Sequence, residues 1–525
     1  MVLRLCLSSL FNDQAPLMKK KITFLCAFAL VVLPCSGVVM AQGVARINAD
    51  TSASLLGDGT GVTVGIIDSG VDASHPLLAG NDSQGNSRLV AAGNFVPTEA
   101  GQSPDDVNGH GTGVAGVVLG AGVGVAQDAR FINGRAIDNN NSFQSTNWVV
   151  DGAGFAVDNG ADVLNLSLNT FGEFSAGTLG LDQMLDYAAV NRGVTSAVCA
   201  GNISSAAGGD TSVRSPAGSF NSIAVGWTSS SSNYDQLNTD SSFGPTSDGR
   251  IKPDIVAPGE NILTLSDDWE TGNDFRTFNG CSFATPHVAG LLAQQIDYGR
   301  TTGLDTDPLA LKATLLNSAD KNVFDRTGGA WESFDAQLVN GVYTVTSGLD
   351  EQLGTGQADG IRLFDQYSAG EQAAGVVDEI GWDIGTVLND DPLVYDFDND
   401  LVGGSTFTAT LTWFRDVAFI DDGDGMIDAA DQFIASALDD LNLSLFFEGN
   451  LVGIANSTID NVEHLHFDLT QTGSYTLVVD RFAGTGTGTG TNFGLAWSAT
   501  AVPEPSATAL ILLLGAGLLR RKRIA

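Results

Sequence analysis

Three side chains, far apart along the chain, are of the types that acyl-transfer chemistry uses. The first is Ser282, within Asn279-Gly-Cys-Ser-Phe-Ala-Thr-Pro-His-Val-Ala-Gly290. Phe283 to Gln295 are apolar and small residues with few breakers, which predicts a helix opening at Ser282. Pro286 then falls in the first turn, where its missing N–H costs least. A hydroxyl at such a helix start faces unpaired backbone N–H groups and the positive end of the helix dipole. Those surroundings stabilise an oxyanion forming beside a serine nucleophile. The alternative is a plain serine N-cap on a core helix. The second is His110, in Asn108-Gly-His-Gly-Thr-Gly-Val-Ala-Gly116, where glycines allow close backbone approach and the imidazole opens a helix through Val114 to Leu119. It reads as a base or as a satisfied polar residue. The third is Asp68, which ends the apolar run Val62-Thr-Val-Gly-Ile-Ile-Asp68. A buried strand would deliver this acid to an edge, whereas a lone Asp would cap the next turn. His75, in the following loop, reads as structural.

Positioning such groups requires a scaffold, and the chain supplies alternating elements. Ala129 to Ala136 reads as a strand, Trp148 to Asp158 as a helix, and Ala161 to Asn169 as a strand. Leu181 to Asn191 reads as a helix and Gly193 to Asn202 as a further strand. This alternation predicts a parallel sheet covered by helices on both faces. Right-handed crossovers bring the strand ends to one edge. Asp68, the Ser167-Leu168-Asn169 segment and Gly201-Asn202 all fall at such ends. Pro308 to Ala319 is a predicted helix.

Composition bounds the class. With 525 residues, 43% hydrophobic and 16% charged, the chain can form two or three cores. A formal net charge of -37 argues against nucleic acid or anionic membrane as a charge-driven partner. It fits solubility, cation binding or salty surroundings equally. Of the 5 cysteines, Cys6, Cys26 and Cys35 lie in or before an export-type leader, leaving Cys199 and Cys281. Two cysteines are no disulfide framework, and they can bridge only if both lie beside one site.

The motifs Ile67-Asp-Ser-Gly70, Gly109-His-Gly-Thr112, Asn165-Leu-Ser-Leu168, Ala200-Gly-Asn202, Lys252-Pro-Asp-Ile-Val-Ala-Pro-Gly259 and Asn279 to Gly290 occur in one order. On them the chain resembles the subtilisin-like serine proteases, the subtilases, over about Arg46 to Ser368. The resemblance implies a subtilisin-like α/β fold and a secreted serine endopeptidase acting on protein or peptide substrates, with no cofactor for catalysis. It makes Ser282 the nucleophile, His110 the general base and then acid, and Asp68 the residue that orients and stabilises the imidazolium. Asn202 and the Ser282 N–H become the oxyanion donors. Ser167, Leu168 and Asn169 become the strand that pairs with substrate, and Gly201 lines the specificity pocket. Arg214 lies near the segment that floors this pocket in the family. Pointing inward, it would favour an acidic residue before the cleaved bond, and otherwise it is a solvated loop arginine. Gly113 stands where the family often has a second histidine. Cys281 replaces the usual threonine, which predicts a thiol beside the nucleophile, sensitive to bulky thiol reagents. The short stretch after Gln42 leaves no room for the family's long propeptide, so folding without it is expected. A catalytically weak or inactive subtilase-fold surface or matrix-binding protein is the competing reading.

The predicted domains are 1–41, an export signal region; 42–370, the catalytic domain; 371–500, a β-sandwich; and 501–525, a sorting tail. Met18-Lys-Lys-Lys21, the apolar Ile22 to Pro34 and Val39-Met-Ala41 compose the signal, with Met1 to Leu17 an extension or a start set too early. Period-two runs at Thr406 to Trp413, Leu441 to Phe447, Val462 to Leu469, Gly473 to Val479 and Phe493 to Trp497 predict the sandwich, which resembles a jelly roll. Asp421 to Asp428, with Asp431, reads as a structural calcium loop or as an acidic solvated turn. His464 and His466 share a strand face and read as a surface pair rather than a metal set. The tail Val502-Pro-Glu-Pro505, the apolar Ala507 to Leu519 and Arg520 to Arg523 resemble the PEP-CTERM sorting signal. That implies the export machinery, transient membrane anchoring by a short transmembrane helix, an exosortase-like partner, and a destination at the cell envelope, cell surface or extracellular matrix.

Overall fold

The structure, a computed structural model, describes residues 42–170, 176–203, 213–388, 391–482 and 490–500. The predicted export signal and sorting tail lie outside these residues. Among the described residues no helix is long and apolar enough to cross a membrane.

The first half is built on an eight-stranded sheet. Its strands are β1 (Thr63–Asp68), β2 (Leu89–Asn94), β3 (Arg130–Arg135), β4 (Val163–Leu166), β5 (Thr195–Cys199), β6 (Ile223–Ser229), β7 (Gln236–Leu237) and β8 (Ile255–Pro258), in the order β2-β3-β1-β4-β5-β6-β7 with β8 also on β6. All pairs are parallel except β6 with β7. The helices are α1 (Gln42–Arg46), α2 (Ala49–Leu56), α3 (His110–Leu119), α4 (Thr146–Asp158), α5 (Gly180–Arg192), α6 (Cys281–Thr302), α7 (Pro308–Asn317) and α8 (Gly360–Ser368).

The central strands are buried and mostly apolar because both faces are covered, with Asn133 in β3, Asn165 in β4 and Thr195 and Ser196 in β5 as buried polar members. On β1, Val64 and Ile66 join the core with α3 and α6, while Ile67 joins the core with α4 and α5. On β5, Ala197 and Cys199 face the first core and Val198 the second. The α/β expectation of a parallel sheet with helices on both faces is therefore met. Helix boundaries differ from the predicted ones at both ends: α6 runs seven residues past Gln295, to Thr302, and α7 stops at Asn317 rather than Ala319. In α6 the cap is Gly280, so Ser282 lies inside the helix and Pro286 beyond its first turn.

The second half contributes a seven-stranded and a four-stranded sheet that share one core. Leu443, Leu445, Leu477 and Val479 come from the first, and Phe407, Leu411, Phe493 and Leu495 from the second. Two strands of the larger sheet, Gln337–Val339 and Val342–Val345, come from within 42–370. The smaller sheet lies against α7, so closely that a Cβ at Gly494 would stand 2.4 Å from the Leu309 carbonyl oxygen. A hairpin, Val417–Ile420 with Gln432–Ala435, reaches back to α5, where Phe419 stacks on Tyr187 at 4.7 Å. The buried Arg415–Asp186 ion pair, at 2.6 Å, reinforces that contact.

Candidate active site

Asp68 is the last residue of β1 and is fully buried. Its Oδ1 accepts the Ser69 N–H at 2.7 Å and lies 2.6 Å from His110 Nδ1. His110 is the first residue of α3, and its side chain is 14% exposed. The glycines around it are required by close approach. A Cβ at Gly111 would lie 2.0 Å from the Gly70 carbonyl oxygen. Gly109 sits at φ 89, in the left-handed region that favours glycine. Burial pushes the His110 imidazole towards neutrality, but the adjoining Asp68 carboxylate and the more distant Asp106 more than offset it and hold its pKa above the ordinary value.

Asp106 is a residue that sequence reasoning missed. Its carboxylate accepts from the Asn108, Gly109 and Thr112 N–H groups and from Ser69 Oγ. It therefore satisfies the opening of α3 and ties it to the end of β1. An acid shortly before a Gly-His helix start was the available signal.

Ser282 is not an N-cap. Its Oγ donates to the Ser167 carbonyl oxygen at 3.1 Å, and the Ser282 carbonyl accepts from Ser167 Oγ at 2.8 Å. The second bond has a local cause. Pro286 has no N–H to return to the Ser282 carbonyl, so that acceptor is free for Ser167. The pairing fixes the segment after β4 against the start of α6. Asn202, just beyond β5, accepts the Cys281 N–H on Oδ1 at 2.8 Å. This contact assigns the amide orientation and leaves its NH₂ as the remaining donor. The Ser282 N–H, in the first helical turn, has no intrahelical acceptor.

These groups meet in one cleft of about 270 Å³ lined by His110, Ser282, Asn202, Ser167, Leu168, Asn169 and Gly201, with Arg214 also on its wall. Asn169 Nδ2 donates to the Cys199 carbonyl oxygen at 2.5 Å, joining the segment beyond β4 to the end of β5. Gly201 sits at φ 128, and a Cβ there would meet Ser242 Oγ at 2.5 Å. All eight residues singled out for the site thus come to one edge of the sheet.

One expectation changes. Cys281 is no free thiol: it is buried and disulfide-bonded to Cys199, with Cα atoms 5.3 Å apart. The predicted sensitivity to thiol reagents therefore does not hold for the bonded form. The bridge ties the start of α6 to the end of β5, one residue before Ser282 and three before Asn202. At Gly113 a Cβ would lie 2.9 Å from the Phe278 ring and 3.2 Å from the Phe283 ring. Those rings, stacked at 4.5 Å, fill the space that a larger side chain would need, and Phe283 meets the His110 ring in a T-shaped contact at 5.4 Å.

The acidic loop lies elsewhere. Asp421, Asp422 and Asp424 are exposed, with carboxylate oxygens within 4.8 Å of one another. Asp431 spends its carboxylate on the Asp422 and Asp428 N–H groups. His464 is buried and His466 half-buried, so they are not the surface pair their alternation suggested.

Comparison with known proteins agrees with this layout. A model described as the Subtilase family matches residues 59–356, more than half of the chain. Thermitase of Thermoactinomyces vulgaris is 32% identical over 282 residues, covering 53% of this chain and 86% of that protein. The Thermophilic serine proteinase of Bacillus sp. (strain AK1) is 32% identical over 268 residues, covering 50% of this chain and 57% of that protein. Subtilisin E of Bacillus subtilis (strain 168) is 34% identical over 256 residues, covering 48% of this chain and 59% of that protein. This chain thus spans less than two thirds of the length of the last two. Among solved structures, a cold adapted subtilisin-like serine proteinase is similar at 31% identity, with a TM-score of 0.40, covering 52% of this chain and 88% of that one. By the family match and the likeness to thermitase, the chain belongs to the subtilase family, and its parallel sheet and flanking helices are the subtilisin-like α/β fold.

Proposed function

We propose that the protein is a serine endopeptidase. The carrying observation is the 2.6 Å contact between Asp68 and His110 in the cleft that also holds Ser282 and Asn202. A serine hydroxyl is a weak nucleophile near neutral pH and needs a base. In this reading Ser282 Oγ leaves the Ser167 carbonyl and gives its proton to His110 Nε2 as it attacks the scissile carbonyl. Asp68 holds the Nδ1–H and stabilises the imidazolium. Negative charge on the attacked oxygen falls to the Asn202 NH₂ and the Ser282 N–H. His110 then protonates the leaving amine, and a water molecule repeats the sequence to release the acid. The substrate backbone adds as a strand beside Ser167 to Asn169.

The chemistry is carried by side chains and backbone N–H groups. The test is labelling by a fluorophosphonate probe together with hydrolysis of an unstructured protein. Wild-type protein should label and cleave, and Ser282→Ala should do neither. A folded wild-type protein that does not label would defeat this reading and favour a binding or matrix protein.

Around this core we propose export through the 1–41 signal and sorting through the 501–525 tail by an exosortase-like enzyme, with transient anchoring before release to the envelope, surface or matrix. We read 371–500 as a jelly-roll-like sandwich, and the Asp421 to Asp431 loop as an acidic solvated turn with a structural calcium loop as the alternative. Fractionating cells that express the chain with and without 501–525 tests the sorting step. Loss of the tail should move the protein from the envelope to the medium, and an unchanged distribution would overturn it.

A further inference from the structure

The two groups read as oxyanion donors come from separate elements. The Ser282 N–H belongs to the first turn of α6, and Asn202 follows the end of β5. They stabilise a developing charge only if both meet at one point, so their separation must be fixed. Cys281 stands between them. Its N–H donates to Asn202 Oδ1 at 2.8 Å, which aims the amide. Its carbonyl accepts Thr285 Oγ1 at 2.8 Å, which fixes the peptide unit that carries the Ser282 N–H. Its sulfur is bonded to Cys199, the last residue of β5. The Cys199 carbonyl in turn accepts Asn169 Nδ2 at 2.5 Å. A small ring results: along the chain from Cys199 to Asn202, by hydrogen bond to Cys281, and back through sulfur to Cys199. Gly201 lies in that ring at φ 128 and Gly280 borders it at φ 119. Glycine backbone is the least restrained of any, so the covalent link supplies stiffness that the local chain lacks.

We propose that Cys199 and Cys281 are positioning residues for the oxyanion donors, and that turnover therefore depends on their oxidation state. The proposal rests on the endopeptidase reading. Two thiols cannot approach as closely as two bonded sulfurs. Reduction therefore moves the start of α6 away from the end of β5 and turns the Asn202 amide off line. The reductant is a dithiol. Cys281 is fully buried, whereas Cys199 lines the cleft, so the attack falls on Cys199. One thiolate of the reagent bonds to the Cys199 sulfur, the protein S–S bond breaks, and Cys281 leaves as a thiolate that takes up a proton. The second thiolate of the reagent then displaces Cys199, which is protonated in its turn. The reagent ends as its own disulfide, and its two protons end on Cys199 and Cys281. Asp68 and His110, on β1 and α3, are not part of the ring. The loss falls on kcat, because the oxyanion forms in the transition state and not in the bound substrate.

The experiment measures kcat and KM for one peptide on oxidised protein, on protein reduced with dithiothreitol, and on the double variant Cys199→Ala/Cys281→Ala. Alkylation mapped by peptide mass confirms the state of both cysteines. The reduced protein and the double variant should each lose ~10–100-fold in kcat with KM nearly unchanged, short of the ~10²–10³ that deleting a whole oxyanion donor costs in a subtilisin. Reoxidation should restore the reduced protein, and dithiothreitol should not alter the double variant. In Asn202→Ala protein the same reduction should cost less, because one donor that the bridge positions is already gone. Equal losses with and without Asn202 would make the bridge a general brace and overturn the assignment. Fluorophosphonate labelling of the oxidised protein is read in parallel. If that protein labels and cleaves, and the reduced, folded protein keeps its kcat, the bridge assignment is wrong and the endopeptidase reading stands. Neither labelling nor cleavage in the oxidised protein defeats both. If the reduced protein unfolds, the double variant decides. Unfolding of both makes the bridge a requirement of the fold and overturns its assignment to catalysis.

Discussion

His110 and the pair His464–His466 place one side-chain type in two settings. His110 opens a helix, faces the cleft and has a carboxylate on Nδ1. His464 and His466 alternate on the strand Val462–Asp468, with rings parallel at 6.3 Å and hydroxyls on Nδ1, from Thr410 at 2.9 Å and Thr408 at 2.8 Å. Burial pushes all three towards neutrality. At His110 the Asp68 charge reverses the outcome and raises the pKa. At the pair, Lys321 adds to burial, holding His464 well down and bringing His466 to about 3. The partner, not burial, decides the direction. Only the first arrangement keeps a ring near neutral pH that can take up a proton and hold it.

The largest expected effect tests that division. His110→Ala should lower kcat by ~10⁶, the loss that removing this residue causes in a subtilisin, while the melting temperature moves little. His464→Ala should do the opposite, costing ~1–3 kcal/mol of stability and leaving kcat/KM within a few-fold. Peptide hydrolysis and thermal melts on both variants check this. A His464 variant as inactive as the His110 variant, yet equally folded, would abolish the contrast. Next in size is the partner itself. Asp68→Asn keeps the shape but removes the charge that fixes the tautomer, and should lower kcat at neutral pH by ~10⁴.

How much of this was legible in the chain differs between the same two places. Asp68, His110, Asn202 and Ser282 sit in short motifs whose glycines are demanded by close contacts, with the Gly70 backbone at Gly111 and with the Ser242 side chain at Gly201. Local sequence therefore carried the site. The parallel sheet was equally legible, because strands buried on both faces are mostly apolar and alternate with helices. The histidine pair was misread because alternation says which residues share a face, not what covers it. Here Trp331, from a distant loop, packs edge-on at 5.0 Å from His466 and 6.0 Å from His464. The Cys199–Cys281 bridge was open for the same reason, since its partners lie 82 residues apart. The role of Pro286 needed three dimensions too: it frees a carbonyl for Ser167, a residue on another strand's end.

The pH dependence of the two settings should separate. His110 must be neutral to act as base, so kcat/KM should fall as pH drops through a value above the ordinary 6.5. For stability the signs oppose. A raised His110 contributes stability that is complete below 6.5 and is lost as pH rises through its folded value. The depressed pair contributes stability that is complete above 6.5 and is lost as pH falls, down to about 3 for His466. The unfolded chain binds those protons and the folded one refuses them. Each such histidine makes the protein less stable by ~1.4 kcal/mol per pH unit in that window. His466→Gln should therefore lose up to about 2 kcal/mol less than wild type between neutral pH and pH ~5. Denaturant melts at the two pH values measure this, and equal losses would show that His466 is protonated in the native state.

The smallest effect probes the hydroxyl partner. Thr408→Val keeps the shape of the side chain and removes the oxygen that meets His466 Nδ1. Thr408 is 7% exposed, whereas His466 is half-buried beside a polar cavity that also takes in Arg362 and Asp365. Water can therefore replace part of the lost bond, and the cost should be about 1 kcal/mol. Turnover should not change, because no proton moves through this pair during catalysis. The same class of exchange at Asp68, a partner lost and a shape kept, is expected to cost ~10⁴ in rate. If Thr408→Val instead lowered kcat/KM while Tm stayed fixed, the pair would be coupled to the cleft, and the two settings could no longer be treated as independent.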